Sequence, residues 1–129
     1  MAHSLVGQYQ QALADLDWVL KFDPENSLAY VSKALVYIGL GQFERALEIV
    51  EHPTFSSPES TLTIYVAGLT YAALGEYEQS VEEWSKLIKL EPQLAVAYHA
   101  RGLAYQDLGM WEKADQDFTK AEELGFIPQ

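Results

Sequence analysis

The stretch from Tyr98 to Phe118, YHARGLAYQDLGMWEKADQDF, decides the fold of this chain because two earlier stretches repeat its pattern. The chain reads IYVAGLTYAALGEYEQSVEEW over residues 64–84 and YVSKALVYIGLGQFERALEIV over residues 30–50, so the period is 34 residues. Each copy places a small residue, a tyrosine, a Leu-Gly pair, an aromatic residue and a second small residue at the same spacing. A period of this length is the signature of stacked structural repeats.

The repeated positions have a physical meaning. Gly41, Gly75 and Gly109 each follow a leucine at the end of a periodic apolar segment, and Gly7 holds the same position near the start of the chain. Glycine takes the left-handed conformation that commonly closes a helix, so we expect a helix to end at Gly41, Gly75 and Gly109. A proline recurs at the same period and ends each unit, because a helix does not continue through proline. The pattern therefore predicts repeated helix–turn–helix units.

Apolar residues at helical spacing predict seven helices. Their predicted bounds are 5–22, 27–40, 43–52, 59–74, 77–90, 94–108 and 111–124. Asn26 or Ser27 is expected to cap the start of the second helix. Pro53 should stop the third helix early, near Glu51 or His52, and an irregular loop should follow. No alternating apolar run indicates a strand, so the predicted class is all-α.

The pattern resembles the tetratricopeptide repeat (TPR). The last unit is the best match, through Tyr98, Gly102, Tyr105, Ala114 and Phe118. Its sequence is similar to that of bacterial and especially cyanobacterial members of the family. The resemblance implies a right-handed α-solenoid of antiparallel helix pairs that forms a single domain over residues 1–129. Its predicted parts are a half repeat at 5–26, a repeat with a shortened second helix at 27–60, and repeats at 61–94 and 95–128.

The composition excludes several classes of function. Nineteen acidic residues against eight basic ones give a formal charge of −11, which would repel the phosphates of a nucleic acid. Cysteine is absent, so disulfides and thiolate metal sites are excluded, and the three histidines share no helix face that would suggest a metal site. No apolar run approaches the ~20 residues that span a bilayer, and no signal peptide is evident. These observations predict a cytoplasmic location.

No group of residues has the arrangement of a catalytic site. Glu78 and Glu82 lie at helical spacing, as carboxylates do on any acidic helix. The run Gly39-Leu40-Gly41 follows a helix rather than a strand, so it is not a phosphate-binding loop. We therefore predict that the chain is not an enzyme and binds no cofactor.

The resemblance places the ligand-facing surface on the first helix of each unit. The predicted partner-binding residues are Val31, Leu35, Ile38, Tyr65, Leu69, Ala72, His99, Leu103 and Gln106. Most are apolar, which favours a protein or peptide with an apolar or amphipathic segment. Leu28, Leu62 and Val96 lie in the same set of positions and are expected to pack between helices instead.

A known subset of the family grips carboxylate tails of chaperones with basic and amide side chains. The matching positions here hold Val31, Leu35, Val66, Val96 and Ala100, none of which donates a side-chain hydrogen bond. The resemblance therefore predicts a protein-interaction scaffold that is not a carboxylate clamp.

Two alternatives remain open from the sequence. The first is a structural self-association domain, for which the predicted contact residues are Trp18, Phe126 and Ile127 near the two ends of the array. Trp18 stands where the other units place His52, Lys86 and Lys120, so a tryptophan there suggests a contact surface. The second alternative is an accessory domain cut from a larger enzyme or assembly factor, because the array begins in the middle of a unit and has no polar capping helix.

Overall fold

A computed structural model describes residues 2–52, 55 and 60–126. It contains seven helices and, within those residues, no strand, which confirms the all-α class. The helices are α1 Ala2–Phe22, α2 Ser27–Gly39, α3 Phe43–Val50, α4 Thr61–Ala73, α5 Tyr77–Leu90, α6 Ala95–Asp107 and α7 Trp111–Glu123. The third helix ends at Val50, with Glu51 as its C-cap, as the position of Pro53 predicted.

Four helices end on the same glycine turn. Gly41, Gly75, Gly109 and Gly125 have φ values of 74°, 77°, 75° and 99°, in the left-handed region. After Gly109, for example, the Met110 amide donates to the Tyr105 carbonyl at 2.8 Å, which satisfies an acceptor in the last turn of α6. The predicted role of Gly41, Gly75 and Gly109 is confirmed. Gly7 lies inside α1, as the helix predicted over residues 5–22 required, and ends no helix.

The chain divides into two compact units, residues 1–66 and residues 67–129, and α4 contributes residues to both. In the first unit, α2 packs against α1 and α3. Close approach at Gly39 allows the Tyr9 ring of α1 to lie against the α2 backbone, where an added Cβ would come within 2.8 Å of the ring. The Lys33 ammonium lies 2.8 Å from the Asp17 carboxylate and joins the same two helices.

The start of α2 is fixed by a side-chain cap. The Asn26 side-chain oxygen accepts a hydrogen bond from the Ala29 amide at 3.0 Å, which confirms Asn26 as the N-cap. The start of α4 is closed differently, because Ser60 and Thr63 exchange hydrogen bonds as in a capping box. Phe55, in the region expected to be an irregular loop, is buried and adds a large apolar side chain to the first unit.

The second unit packs its helices through small residues. In α4, Gly68 faces the buried ring of Trp84, and a Cβ at Gly68 would come within 2.8 Å of that ring. In α6, Gly102 faces the Phe118 ring in the same way, at 2.7 Å. A large ring therefore fits only because its helical neighbour has no side chain.

A buried ion pair joins α6 to α7 and reaches α5. Arg101 donates from Nε and Nη2 to the two oxygens of Asp117, both at 2.8 Å, and from Nη1 to the Ser85 hydroxyl at 3.2 Å. The Asp117 side chain is almost fully buried. The hydrogen bond to Asp117 raises the pKa of Arg101 above its ordinary value, so the guanidinium keeps its charge in the folded protein.

Two properties of the described residues bear on function. None of the seven helices combines the length and apolar character that crossing a bilayer requires. Within residues 2–52, 55 and 60–126, no three acidic or histidine side chains gather closely enough to hold a metal ion.

Candidate functional site

Four of the predicted partner-binding residues lie in the first unit. Val31 is buried at 3% exposure, so its assignment to a partner-binding surface was wrong: it packs in the core and offers no surface to a ligand. Leu35 is exposed, while Ile38 and Tyr65 are half-buried. These three residues keep accessible surface for a contact.

The other five predicted residues line two clefts in the second unit. The α6–α7 cleft has a volume of about 350 Å3 and is lined by His99, Leu103, Gln106, Phe118, Ala121, Glu122 and Phe126. The α4–α6 cleft has a volume of about 230 Å3 and is lined by Leu69, Ala72, Tyr77, Trp84, Ala100, Leu103, Ala104 and Asp107. Leu103 belongs to both clefts and is 44% exposed. The structure thus brings Leu69, Ala72, His99, Leu103 and Gln106 to one pair of adjoining clefts.

The lining of the clefts is apolar with a negative rim. Glu122 in the α6–α7 cleft and Asp107 in the α4–α6 cleft are the charged residues, and no lysine or arginine lines either cleft. Such a surface favours apolar groups, with a cation beside them, over an anionic tail.

His99 and Phe126 form an aromatic contact at the α6–α7 cleft. Their rings are stacked, with centroids 4.1 Å apart, and the Phe118 ring lies 5.4 Å from His99. Burial lowers the pKa of His99, so the imidazole is favoured in its neutral form at neutral pH. Neutral His99 therefore adds a polar atom to the cleft without adding charge.

The residues predicted for self-association differ in their exposure and contacts. Trp18 is 65% exposed and its ring lies 4.5 Å from that of Phe22, which is equally exposed. Phe126 is half-buried on His99 and lines the α6–α7 cleft, so its ring is partly engaged within the chain. Ile127 lies outside the described residues.

Sequence reasoning missed two features of the surface. Leu28, Leu62 and Val96 were expected to pack between helices, but all three are exposed, so that prediction was wrong. Trp111 is 61% exposed, although it occupies the same repeat position as Tyr9 and Tyr77. Tyr9 packs on α2 and Tyr77 lines a cleft with α6, and each of these helices belongs to the next repeat along the chain. The repeat position of Trp111 therefore does not by itself indicate its exposure.

Three family models match the sequence. One described as a TPR repeat matches residues 68–109, and one described as a tetratricopeptide repeat matches residues 95–124. A third, described as anaphase-promoting complex, cyclosome, subunit 3, matches residues 6–87 and so covers more than half of the chain. No curated protein matches the chain.

Three solved structures show the range of proteins whose folds are similar to this chain. MamA 41-end from Desulfovibrio magneticus RS-1 is 28% identical with a TM-score of 0.83, and the match covers 92% of this chain and 67% of that one. The second TPR of Spaghetti (RPAP3), bound to the HSP90 peptide SRMEEVD, is 20% identical with a TM-score of 0.70, over 93% of this chain and 99% of that one. A tetratricopeptide repeat protein from Parabacteroides merdae is 20% identical with a TM-score of 0.65, over 96% of this chain and 62% of that one.

At 20% identity the last two likenesses show the fold alone. The 34-residue period, the glycine turns that close four helices and the family models that match within residues 6–124 agree with one another. On this evidence, the chain belongs to the tetratricopeptide repeat family, whose folds typically serve as non-catalytic scaffolds for protein interaction.

Proposed function

We propose that this chain is a protein-interaction module, without enzymatic activity, that binds an apolar or amphipathic segment of another protein in the second unit. The observation that carries the proposal is Leu103, an exposed leucine shared by two apolar clefts. A large apolar side chain at the junction of two clefts is the kind of centre on which binding energy concentrates. The acidic surface makes nucleic acid an unfavourable partner, and a cytoplasmic partner is proposed.

Rigid display of the clefts is the proposed mechanism. The clefts lie between packed helices, so little backbone order has to be gained when a ligand binds. The occupant contributes its own apolar face, as an amphipathic helix or an extended segment does in other protein grooves.

The test begins with peptides that are selected from a random library for binding to the full chain. Leu103→Glu should weaken their binding by about tenfold or more, because it places a carboxylate at the shared apolar centre. Fluorescence anisotropy measures the affinities, and circular dichroism checks that each variant remains helical.

Leu90→Glu is the matched control, since Leu90 is also an exposed helical leucine of the second unit but lines neither cleft. The acidic peptide SRMEEVD, which the RPAP3 domain binds, should bind this chain weakly or not at all. Equal binding by wild type and the Leu103 variant would reject the clefts as the site.

A second candidate function is self-association through Trp18 and Phe22. Both side chains are largely exposed and together present a paired aromatic surface on α1. Under this reading, the sedimentation coefficient of the wild type should rise with protein concentration, and Trp18→Ala should keep the chain monomeric. A wild type that stays monomeric at every concentration rejects this candidate.

A further inference from the structure

The second unit contains an internal example of how a helix docks on a helix pair. In the α4–α6 cleft, α4 and α5 present Leu69, Ala72, Tyr77 and Trp84. Helix α6 meets them with Ala100, Leu103, Ala104 and Asp107. These four residues stand at positions i, i+3, i+4 and i+7 of one helix and therefore share a face. The pair α4–α5 is thus a seat for a helix with small and apolar residues in that pattern.

The pair α6–α7 presents the same repeat positions. Thirty-four residues after the seat residues of α4 and α5 stand Leu103, Gln106, Trp111 and Phe118. Three of them line the α6–α7 cleft, and Trp111 occupies the position of Tyr77. Among the described residues, Phe126 is the lining residue from outside these two helices. Leu103 is 44% exposed and Trp111 is 61% exposed, so both side chains have surface that a docking helix can cover.

The α6–α7 seat is more polar than its internal counterpart. Where α4 has Ala72, α6 has Gln106, and where α5 has Ile88, α7 has Glu122. An apolar centre with a polar, solvent-accessible rim is typical of surfaces that bind a partner reversibly.

Charge indicates the kind of partner that fits the seat. Residues 67–129 contain eleven acidic and five basic residues, and the α6–α7 cleft itself carries Glu122 without a lysine or arginine. In the internal example, Asp107 of the docked helix lines the cleft with Tyr77. The corresponding residue of a helix docked on α6–α7 would therefore lie near Trp111. Tryptophan is the best aromatic partner for a lysine or arginine, so a cation suits that position better than an aspartate.

We propose that the α6–α7 cleft together with Trp111 binds an amphipathic helix of a partner protein. The helix carries small or apolar residues at i, i+3 and i+4 and a lysine or arginine at i+7. This inference rests on the proposed function, because it assigns the partner class of the same surface.

The test uses two fluorescein-labelled peptides with the sequence of residues 92–109, which contains α6. One peptide keeps Asp107, and the other carries Asp107→Lys. In anisotropy titrations with the full chain, the lysine peptide should bind about tenfold more tightly, because it gains attraction to the acidic rim and to Trp111. That advantage should shrink at high salt, which screens the rim charges.

Matched variants locate the peptide. Trp111→Ala should weaken binding of the lysine peptide by about tenfold, whereas Leu90→Ala, which removes an exposed apolar side chain outside both clefts, should leave it unchanged. Glu122→Gln should reduce the preference for lysine, while Glu123→Gln, next to it but outside the cleft lining, should preserve that preference.

Three outcomes would overturn the inference. The peptides could bind equally well, the lysine peptide could fail to bind at concentrations up to about 1 mM, or Trp111→Ala could leave its affinity unchanged. The occupant would instead be a second copy of the chain if the wild type formed dimers that Trp111→Ala dispersed in sedimentation experiments. The Leu103→Glu test uses library peptides, so the proposed function stands or falls separately.

Discussion

Replacing Arg101 with methionine should lower the free energy of unfolding by about 3 kcal/mol, the low end of the range for breaking a buried ion pair. The substitution removes both hydrogen bonds to Asp117 and leaves that buried carboxylate without its cation. Methionine retains much of the aliphatic bulk, so the loss reflects the unpaired charge rather than a cavity. We choose the low end because the Arg101 side chain is itself partly exposed. Urea denaturation followed by circular dichroism measures the change.

The double variant Arg101→Met with Asp117→Leu separates the two causes of this loss. It removes the carboxylate along with the guanidinium, so no unpaired charge stays buried, and most of the lost stability should return. Arg45→Met is the control, because the Arg45 guanidinium lies over the Tyr37 ring, 6.0 Å from its centroid. If the free energy of unfolding of Arg101→Met lies within about 1 kcal/mol of the wild-type value, the ion pair is not a major source of stability.

The second large effect is expected at Trp84. Trp84→Val should destabilise the protein by about 3 kcal/mol or more, because it removes a side chain that is 1% exposed and leaves a cavity beside Gly68. Gly68→Ala should also destabilise it, since the new methyl group would overlap the indole ring. Overpacking of this kind costs about 1–3 kcal/mol, and the better helix propensity of alanine offsets about 1 kcal/mol of that.

The two substitutions together should cost less than the sum of their separate effects. The first repeat already contains this combination, because Ala34 and Val50 occupy the positions of Gly68 and Trp84, and both are buried. A double-mutant cycle on thermal or urea unfolding should therefore show a favourable coupling of about 1–2 kcal/mol. Strictly additive losses would show that the glycine and the ring do not constrain each other.

The helices and their glycine turns could be predicted because they depend on local sequence. A left-handed glycine and an interrupting proline act within one turn of the chain, so Gly109 or Pro53 can be interpreted without knowing what lies elsewhere. The same holds for Asn26, whose side chain caps the helix that begins next to it. These elements required no tertiary information.

Exposure at the candidate site could be predicted only in part, because it depends on which neighbour covers a helix. Val31 and Leu35 are four residues apart on α2, yet one is buried and the other exposed. Trp111 shares its repeat position with Tyr77 but differs from it in exposure, since α6 lies beside Tyr77. A periodic pattern identifies equivalent positions, but it does not say whether an equivalent neighbour is present.

The stacking of Phe126 on His99 could not be predicted for a different reason. Phe126 stands 34 residues after Pro92, where the earlier units have a proline, so the repeat offers no precedent for an aromatic ring there. Its direction depends on the Gly125 turn, in which the Phe126 amide donates to the Ala121 carbonyl at 2.9 Å. That hydrogen bond aims the ring back across α6, and the sequence contains no earlier copy of this contact.

The uneven burial of the three tryptophans gives the protein separate spectroscopic reporters. Trp84 is enclosed in the second unit, so we expect its emission to be blue-shifted, shielded from quenchers and sensitive to loss of packing there. Trp18 and Trp111 are largely in solvent on α1 and α7, so a soluble quencher reaches both. Acrylamide suits this protein better than iodide, because the negative charge of the chain repels an anion. Variants that each keep one tryptophan would therefore report separately on the core of the second unit, on α1 and on α7.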